Sequence, residues 1–347
     1  MKVLPRPYLI TLLLLLIAAA LSVSFGAVAI PLGELLGMLA SRLPGLSIAR
    51  DWAGSSETIF FQIRLPHMLL VTLTGAALSA SGAAFQGLFR NPLADPYLIG
   101  TASGAGLGAV VAMALREQGW LTGLYLVPAA AFLGALATVG LVYLMAYSRD
   151  AGSTTTLILA GVAVSSFATA LTSFLMLRSQ GELRRSLAWL LGGAAMTGWD
   201  PVLAASPYVF VGLGILLTVG HALNVLQFGD DQAGQMGLPV RRVKRIVILA
   251  ASLATAAAIS FSGIIGFIGL IVPHVVRLWC GPDYRRLIPL SLLGGASALL
   301  LADLLARLVL APQELPVGII TSLAGAPFFI WVLKRYQRRA AGGSHGG

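Results

Sequence analysis

The chain has 347 residues, of which 57% are hydrophobic and only 10% are charged, and its formal net charge is +10. A water-soluble domain of this length needs more polar surface, so the composition excludes a soluble fold. The positive charge does not predict a nucleic-acid partner, because the basic residues lie between hydrophobic runs and not on a polar face. We therefore predict one all-α membrane domain over residues 1–347, in contact with lipid.

Residues that carry metal or catalytic chemistry are sparse. The single cysteine, Cys280, excludes an internal disulfide, and His67, His221, His274 and His345 are too scattered for a metal site. The sequence contains no G-x-x-x-x-G-K-[ST] phosphate loop, no H-E-x-x-H and no G-x-S-x-G. We predict a protein that is not an enzyme, binds no cofactor or metal of its own and does not hydrolyse ATP alone.

The first apolar segment begins with basic residues, continues through a leucine core and ends in small residues. This pattern is typical of a secretory signal as well as of a membrane span. The apolar stretch, however, exceeds the ~7–15 residues of a usual signal core, and further spans follow it. We favour a retained first span over a cleaved signal.

Apolar segments of about 20 residues, the length that crosses a bilayer, recur to the end of the chain. Charged residues, prolines and glycines mark where each segment ends. The predicted spans are Tyr8–Ile30, Pro66–Leu88, Asp95–Leu115, Leu121–Tyr147, Thr154–Leu177, Pro201–Leu223, Val243–Ser262, Ile264–Gly281, Arg286–Leu310 and Pro316–Lys334. About ten spans, an even number, place both termini on one side of the membrane.

Basic residues decide which side that is. Clusters of them fall on one face of the predicted bundle, and the positive-inside rule makes that face cytoplasmic. The clusters are Lys2/Arg6, Arg90, Arg149, Arg241/Arg242/Lys244/Arg245, Arg285/Arg286 and Lys334/Arg335/Arg338/Arg339. All six tryptophans fall near predicted span ends, where aromatic rings prefer the interface, and they support the same registration.

Two connections between spans are long enough to have a role of their own. Pro31–Arg64 is predicted outside, and Asn224–Arg242, within a loop of residues 223–242, is predicted inside. The inner connection can form short surface helices. Its acidic and amide side chains are either solvated loop residues or a docking site for a cytoplasmic partner. The glycine-rich tail, 335–347, is predicted to be disordered.

The second half of the chain contains two irregular features. Gly263, Gly269 and Pro273, before and within the eighth segment, predict a broken or kinked helix. Asp303 and Arg307 lie four residues apart, which predicts an ion pair on one helix face. Because a charge at membrane depth is costly, Arg307 is also a candidate for an outward-facing task.

A long stretch from Arg64 to Gly106, RLPHMLLVTLTGAALSASGAAFQGLFRNPLADPYLIGTASGAG, carries a specific pattern that continues in five shorter stretches. These are LILAGVAVSS at Leu157–Ser166, WLLGG at Trp189–Gly193, SGIIGFIGLIVPHVVRL at Ser262–Leu278, LADLLAR at Leu301–Arg307 and ELPVGIITSLAGAPFFIWVL at Glu314–Leu333. Together they resemble the FecCD family of permeases, which import ferric siderophores, haem and cobalamin. The resemblance covers essentially everything after the first span and implies a type II ABC importer permease fold.

The resemblance also implies partners. Such a permease pairs with a second copy of itself, with two separate ATPase subunits that bind ATP and Mg²⁺, and with a periplasmic binding protein, in the inner membrane of a bacterium. The absence of a phosphate loop from this chain is then explained, because the separate ATPase subunits would carry it. Helices between the sixth and seventh spans are expected to couple to the ATPase. The candidate coupling residues are Leu226, Gly229, Asp230, Gln232, Ala233, Gly237 and Leu238.

At the outer face the resemblance implies arginines that bind glutamates of the binding protein. The matching positions are Arg64 and Arg307, and a bidentate arginine–carboxylate pair gives register as well as attraction. The sequence departs from the family at His67, where relatives similar to the cobalamin permease carry a second arginine. Either one docking contact is lost there, or it depends on pH. A haem-ligand role for His67 is less favoured than that of an ordinary interface residue.

By the same resemblance, the fifth and tenth spans of both copies line the path, with a cytoplasmic gate before the fifth span. The candidates are Ser153, Thr154 and Thr155 for the gate and Ser165, Ser166, Thr169 and Thr172 for the path. Each hydroxyl can equally serve helix packing. A path without fixed charges suits a large chelate, so the predicted cargo is haem or a ferric siderophore, with cobalamin as the alternative. A secondary transporter driven by an ion gradient is less supported, since it usually buries several charges.

Overall fold

The computed structural model describes residues 5–26, 28–42, 52–119, 123–147, 154–179, 181–193 and 198–342. Within those ranges the regular elements are helices, and none is a strand, which confirms the all-α prediction. The first half comprises α1 (Pro5–Ser24), α2 (Leu32–Ala40), α3 (Gly54–Thr58), a π-helical stretch (Ile59–Arg64), α4 (Leu65–Phe89), α5 (Thr101–Glu117), α6 (Leu126–Tyr147) and α7 (Thr154–Arg178). The second half comprises α8 (Leu183–Leu190), α9 (Trp199–Thr218), α10 (Gly220–Leu226), α11 (Asp230–Gln235), α12 (Val240–Ser262), α13 (Ile268–Cys280), α14 (Tyr284–Val309) and α15 (Val317–Gly342).

Seven of these helices are long and apolar enough to cross a membrane, judged by length and composition within the described residues. They are α1, α4 with the helical turns before it, α6, α7, α9, α12 and α14. α5 has 17 residues. α13 and the first part of α15, Val317–Val332, are shorter apolar helices. Every predicted span therefore has a helix. Predictions for Lys2, Trp120, Arg149 and Ser153 fall outside the described residues.

Several span boundaries differ from the prediction, beginning with α1, which ends at Ser24 and not at Ile30. The third span starts as a helix at Thr101 and not at Asp95, because turns precede it up to Gly100, where φ is +86°. The sixth span is interrupted at Val219 and continues as α10. Toward the C-terminus, α15 continues to Gly342, through part of the range that was predicted as a tail.

The predicted break in the eighth span is present, but it lies before the helix and not within it. The helix begins at Ile268 and not at Ile264, after positive φ values at Gly263 (+78°) and Phe267 (+70°). Pro273 lies inside α13. The break therefore separates α12 from α13, and Pro273 does not end the helix.

α4 lies at the centre of the bundle and is buried from Thr74 to Phe89. Its glycines allow neighbouring backbones to approach closely. A Cβ at Gly75 would overlap the carbonyl of Gly295 in α14, and one at Gly82 would overlap the carbonyl of Gly269 in α13. Small residues take this role in membrane helices because lipid supplies no hydrophobic force between them. α4 is therefore packed closely against both α14 and α13.

α7 contrasts with α4, because most of the surface of α7 is exposed. Large apolar side chains are exposed along its length at Leu159, Phe167, Phe174 and Leu177. Apolar surface of this extent requires lipid or another protein chain as its environment.

Candidate functional site

α4 and α14 are antiparallel neighbours, and the candidate functional residues lie at their two opposite ends. At the first, which we name the Arg64 end, the start of α4 meets Arg307 of α14 and the end of α1. At the second, which we name the coupling end, the end of α4 meets Tyr284 of α14, and α10 and α11 follow. With a rise of about 1.5 Å per residue, α14 separates the two ends by roughly 40 Å.

Arg64 is buried at the start of α4 and binds the end of α1. Its Nη1 atom donates to the carbonyls of Val23 at 2.7 Å and Ser24 at 3.2 Å, and Nη2 donates to the carbonyl of Val28. The last carbonyls of a helix have no partners within the helix, which makes them available acceptors. Gly26 leaves room for this contact, since a Cβ there would lie 2.8 Å from Arg64 Nη2.

Arg307 binds the same helix end from α14. Its Nη1 donates to the carbonyl of Phe25 at 3.2 Å, and Nη2 donates to the carbonyl of Ser22 at 3.2 Å and to its Oγ at 2.9 Å. Its Nε donates to Asp303 Oδ2 at 3.0 Å, which confirms the predicted i,i+4 ion pair. Both candidate docking arginines therefore converge on one stretch of backbone.

His67 joins this cluster through Asp303. Its Nε2 lies 3.0 Å from Asp303 Oδ1, so the carboxylate connects α4 to α14. The bridging role of Asp303 was not predicted, because the two residues are 236 positions apart and no sequence pattern connects them. Among the described residues, the cluster contains two guanidiniums and one carboxylate, and only Arg307 pairs with that carboxylate. Such an excess of positive charge attracts an acidic partner.

The coupling end is held by amide side chains. Asn224 Nδ2 donates to Asp283 Oδ1 at 2.6 Å, and Asn224 Oδ1 accepts from the backbone N–H of Tyr284 at 2.9 Å. Gln227 Nε2 donates to the carbonyl of Gly87, at the end of α4, at 3.0 Å. These bonds fix α10 and the residues after it to both α4 and α14.

Asp283 is the acidic centre of this end. The Arg285 guanidinium, with the Asn224 amide, holds the pKa of the Asp283 carboxyl well below its usual range. The carboxylate also accepts from the backbone N–H of Arg285 as the N-cap of α14. A negative charge at this position favours the start of the helix.

Lys244 of α12 anchors α11. Its ammonium is buried and pairs with the carboxylate of Asp230. A buried ammonium needs such a partner, because burial without one is costly. The pair therefore fixes the first turn of α11 to α12.

The predicted coupling residues divide into packed and exposed ones. Leu226 and Ala233 are buried and Leu238 is half-buried, so they hold the segment in place. Gly229 and Gly237 have φ of +104° and +84°, which favour glycine, and set the turns around α11. Gln232, within α11, is exposed.

Sequence analysis missed the exposed apolar residues of this segment. Phe228 and Met236 flank α11, and each is 63% exposed. A large apolar side chain in a polar loop is a sequence signal for a contact surface, and it could have been used here. The coupling end thus exposes two apolar side chains, Phe228 and Met236, on a segment that is fixed to the neighbouring helices.

The predicted path residues lie on α7. Ser165, Thr169 and Thr172 line a cavity of about 370 Å³ together with Ser103 of α5. Ser166 is exposed beside it. The Thr172 hydroxyl also donates to the carbonyl of Ala168 at 2.7 Å, which is a packing contact within the helix. None of the described residues that line the cavity is charged.

The gate residues lie at the start of α7. Thr154 is half-buried and Thr155 is exposed, whereas Ser153 lies outside the described residues. Within the described part of the chain, no group of three or more His, Cys, Asp or Glu side chains could hold a metal ion.

Comparison with known proteins agrees with this geometry. The hemin transport system permease protein HmuU of Yersinia pestis is 38% identical, over 98% of this chain and 99% of that protein. The cobalamin import system permease protein BtuC of Halobacterium salinarum is 42% identical, over 90% of this chain and 87% of that protein. A solved chain described as an inward-facing, metal-chelate type ABC transporter has a TM-score of 0.80 and 30% identity, and the match covers 94% of this chain and 98% of that chain.

The fold and these relatives define a transmembrane permease of ABC importers. The family model described as the FecCD transport family matches residues 13–335, and the chain belongs to that family. Subunits of this kind are not themselves the ATPases of their importers. The resemblance seen in the sequence is thereby confirmed.

Proposed function

We propose that this chain carries an iron chelate, either haem or a ferric siderophore, across the inner membrane of a bacterium. The observation that supports this cargo class is the cavity of about 370 Å³ between α5 and α7. Hydroxyl groups line it beside apolar side chains such as Leu190 and Ile264, and no described lining residue carries a charge. Neutral hydroxyls give a large chelate weak contacts at several points, which allow passage without tight retention.

Cobalamin is the alternative cargo, since one relative is named for cobalamin import and another for hemin transport. Both are large, chelated metal complexes, so one neutral path serves either. We expect the binding protein to select between them, because it meets the cargo first.

A second copy of the chain completes the path on our proposal. Ser166 and Thr169 lie on the exposed face of α7, among large apolar side chains such as Phe167. Hydroxyls on a lipid-facing surface gain nothing, whereas hydroxyls between two protein chains can line a polar route. A homodimer therefore accounts for this face better than lipid alone.

Two ATPase subunits bind the coupling end on our proposal, and they hold the ATP and Mg²⁺. Phe228 and Met236 are the apolar contacts, and exposed aromatic residues of this kind often dominate the energy of an interface. Because Asn224 and Gln227 connect the segment to α14 and α4, movement of the ATPases would reach both helices. On this proposal the coupling end and both termini lie in the cytoplasm.

A periplasmic binding protein docks at the Arg64 end on our proposal. Arg64 and Arg307 supply the positive charge, and acidic residues of the binding protein are the complementary group. His67 contacts Asp303 and not a free surface, so its contribution is indirect. A transporter driven by an ion gradient is less supported, since the described lining of the α5–α7 cavity lacks a titratable carboxylate.

Uptake into proteoliposomes tests the cargo. The chain is reconstituted with its ATPase and binding protein, and labelled haem, ferric siderophores and cobalamin are offered in turn. We expect ATP-dependent uptake of haem or a ferric siderophore. Thr169→Arg should slow that uptake strongly, whereas the isosteric Thr169→Val should not. If only cobalamin is taken up, cobalamin and not an iron chelate is the cargo. If the two Thr169 variants show equal uptake, this cavity is not part of the path.

A further inference from the structure

The end of α1 occupies the guanidiniums that we propose for docking. Five consecutive or nearly consecutive residues accept from Arg64 and Arg307 through their backbone carbonyls. They are Ser22, Val23, Ser24, Phe25 and Val28. A carboxylate of another protein therefore meets two arginines that already have acceptors.

The two guanidiniums are also poorly accessible in this arrangement. Arg64 is 8% exposed, and the Arg307 side chain is 11% exposed. A bidentate pair needs two donors of one guanidinium facing the incoming carboxylate. Arg307 already makes four hydrogen bonds, so the carbonyls of α1 must leave before a bidentate pair can form there. Arg64 keeps unused N–H donors, but its burial against the same stretch of backbone means that this stretch must move before a carboxylate can reach it.

We propose that the end of α1 and the binding protein bind the same guanidiniums in turn, so that docking releases the end of α1 from α4 and α14. This inference rests on the proposed docking at Arg64 and Arg307. It assigns α1 as the element that docking moves.

The exchange is chemically favourable. Hydrogen bonds from a guanidinium to a carboxylate are stronger than those to a neutral carbonyl. The released carbonyls belong to a helix end whose neighbours Phe25 and Val28 are exposed, so water can replace the lost donors. An incoming carboxylate also offsets the excess positive charge of the cluster.

The two arginines are not equivalent in this exchange. Arg307 keeps Asp303 as a partner through Nε while its Nη atoms change acceptors. Arg64 forms no ion pair among the described residues, and its described hydrogen bonds go to backbone carbonyls at the end of α1 and at Val28 just beyond it. Arg64 is therefore the arginine whose affinity for a carboxylate depends most on the position of α1.

A substitution at Gly26 can weaken the binding of the end of α1 to Arg64 while the arginine itself stays in place. A Cβ at this position would lie 2.8 Å from Arg64 Nη2, so Gly26→Ala should displace the guanidinium from α1. Gly33 is the matched control, because a Cβ there meets nothing within 4 Å. Both glycines lie near the same end of the chain's first span.

The first experiment measures the affinity of the binding protein for the assembled transporter. If a larger fraction of Arg64 is free, the apparent affinity rises in proportion, so we expect Gly26→Ala to bind about threefold tighter or more. Gly33→Ala should match the unmodified protein, and Arg64→Gln should bind about tenfold weaker or more. Weaker binding by Gly26→Ala, or no change, contradicts the exchange.

The second experiment follows the end of α1 directly. Val23 is buried, so Val23→Cys in a Cys280→Ser background should react slowly with a membrane-impermeant maleimide. Addition of the binding protein should raise that rate, while Ala18→Cys, buried deeper in α1, stays unreactive. If Arg64→Gln weakens docking but the Val23→Cys rate does not rise, the exchange is wrong and docking stands. If Arg64→Gln docks normally, the proposed docking itself is wrong.

Discussion

Buried basic side chains lie at both ends of the molecule, but their partners differ. At the Arg64 end, guanidiniums bind backbone carbonyls of α1. At the coupling end, the Lys244 ammonium binds the Asp230 carboxylate, and the Asn224 amide binds Asp283. An external carboxylate is a better acceptor than a neutral carbonyl, but it gains nothing over an internal carboxylate. The comparison suggests one end suited to exchange with a partner and one suited to rigid transmission.

Disruption of the coupling surface has the largest expected effect. Phe228→Asp places a charge where we propose an apolar contact with the ATPase, and such central contacts are worth about 2–4 kcal/mol, or roughly 30- to 1000-fold in affinity. The affinity of the purified ATPase for the permease measures the loss. Gln118→Asp, at the exposed C-cap of α5 and away from the coupling end, is the control for added charge. Equal affinity of the Phe228→Asp and Gln118→Asp variants would remove Phe228 from the interface.

Reversal of charge at the Arg64 end should weaken the association with the binding protein and leave the association with the ATPase unchanged. Arg64→Glu and Arg307→Glu are each expected to weaken binding-protein association by about 1.5–3 kcal/mol, because a charged hydrogen bond is lost. Assembly with the ATPase should remain. Arg42→Glu is the matched control, since Arg42 is exposed and pairs with Glu57. Unchanged association in both reversed variants would show that docking lies elsewhere.

The rigidity of the coupling end predicts unequal effects for the two members of its ion pair. Asp230→Asn leaves the buried Lys244 ammonium without a carboxylate. Because the Asp230 side chain is 39% exposed, water reduces the cost to about 1–2 kcal/mol of unfolding free energy. Lys244→Met removes the buried charge and should cost less. Thermal unfolding in detergent compares them, and a larger loss for Lys244→Met would contradict the assignment.

The smallest effect concerns Asp283 and pH. Its folded-state pKa is depressed by Arg285 and Asn224, so its contribution to stability is present above the ordinary carboxyl range and is lost as pH falls below about 4. Asp283→Asn should abolish that dependence, at a cost of about 1 kcal/mol at neutral pH. Unfolding temperatures between pH 7 and pH 3 test this. A wild-type stability that rises relative to the variant as pH falls from 5 to 3 would contradict the sign.

The sequence was sufficient for those parts of the fold that depend on local physics. Hydropathy predicts the seven long apolar helices that the structure describes, because each must cover the same hydrocarbon thickness. The Asp303–Arg307 pair follows from helical spacing alone. Gly75 and Gly82 predict close packing, because small residues leave room for a neighbouring backbone.

The remainder depends on contacts between distant segments. His67 meets Asp303 only when α4 and α14 pack together. The acceptors of Arg64 are backbone carbonyls, which every residue has, so no sequence pattern identifies them. The coupling segment was found as a whole, but its buried members, such as Leu226 and Ala233, could not be separated from exposed ones such as Phe228 without the packing of α10 and α11.

Vesicle transport tests most directly the central claim that this chain provides a path while another subunit supplies the energy. The chain is reconstituted alone, with the ATPase, and with both the ATPase and the loaded binding protein, and ATP hydrolysis and chelate uptake are measured together. We expect no hydrolysis by the chain alone and ATP-dependent uptake only in the complete system. Hydrolysis by the purified chain, or uptake driven by a proton gradient without ATP, would contradict the account.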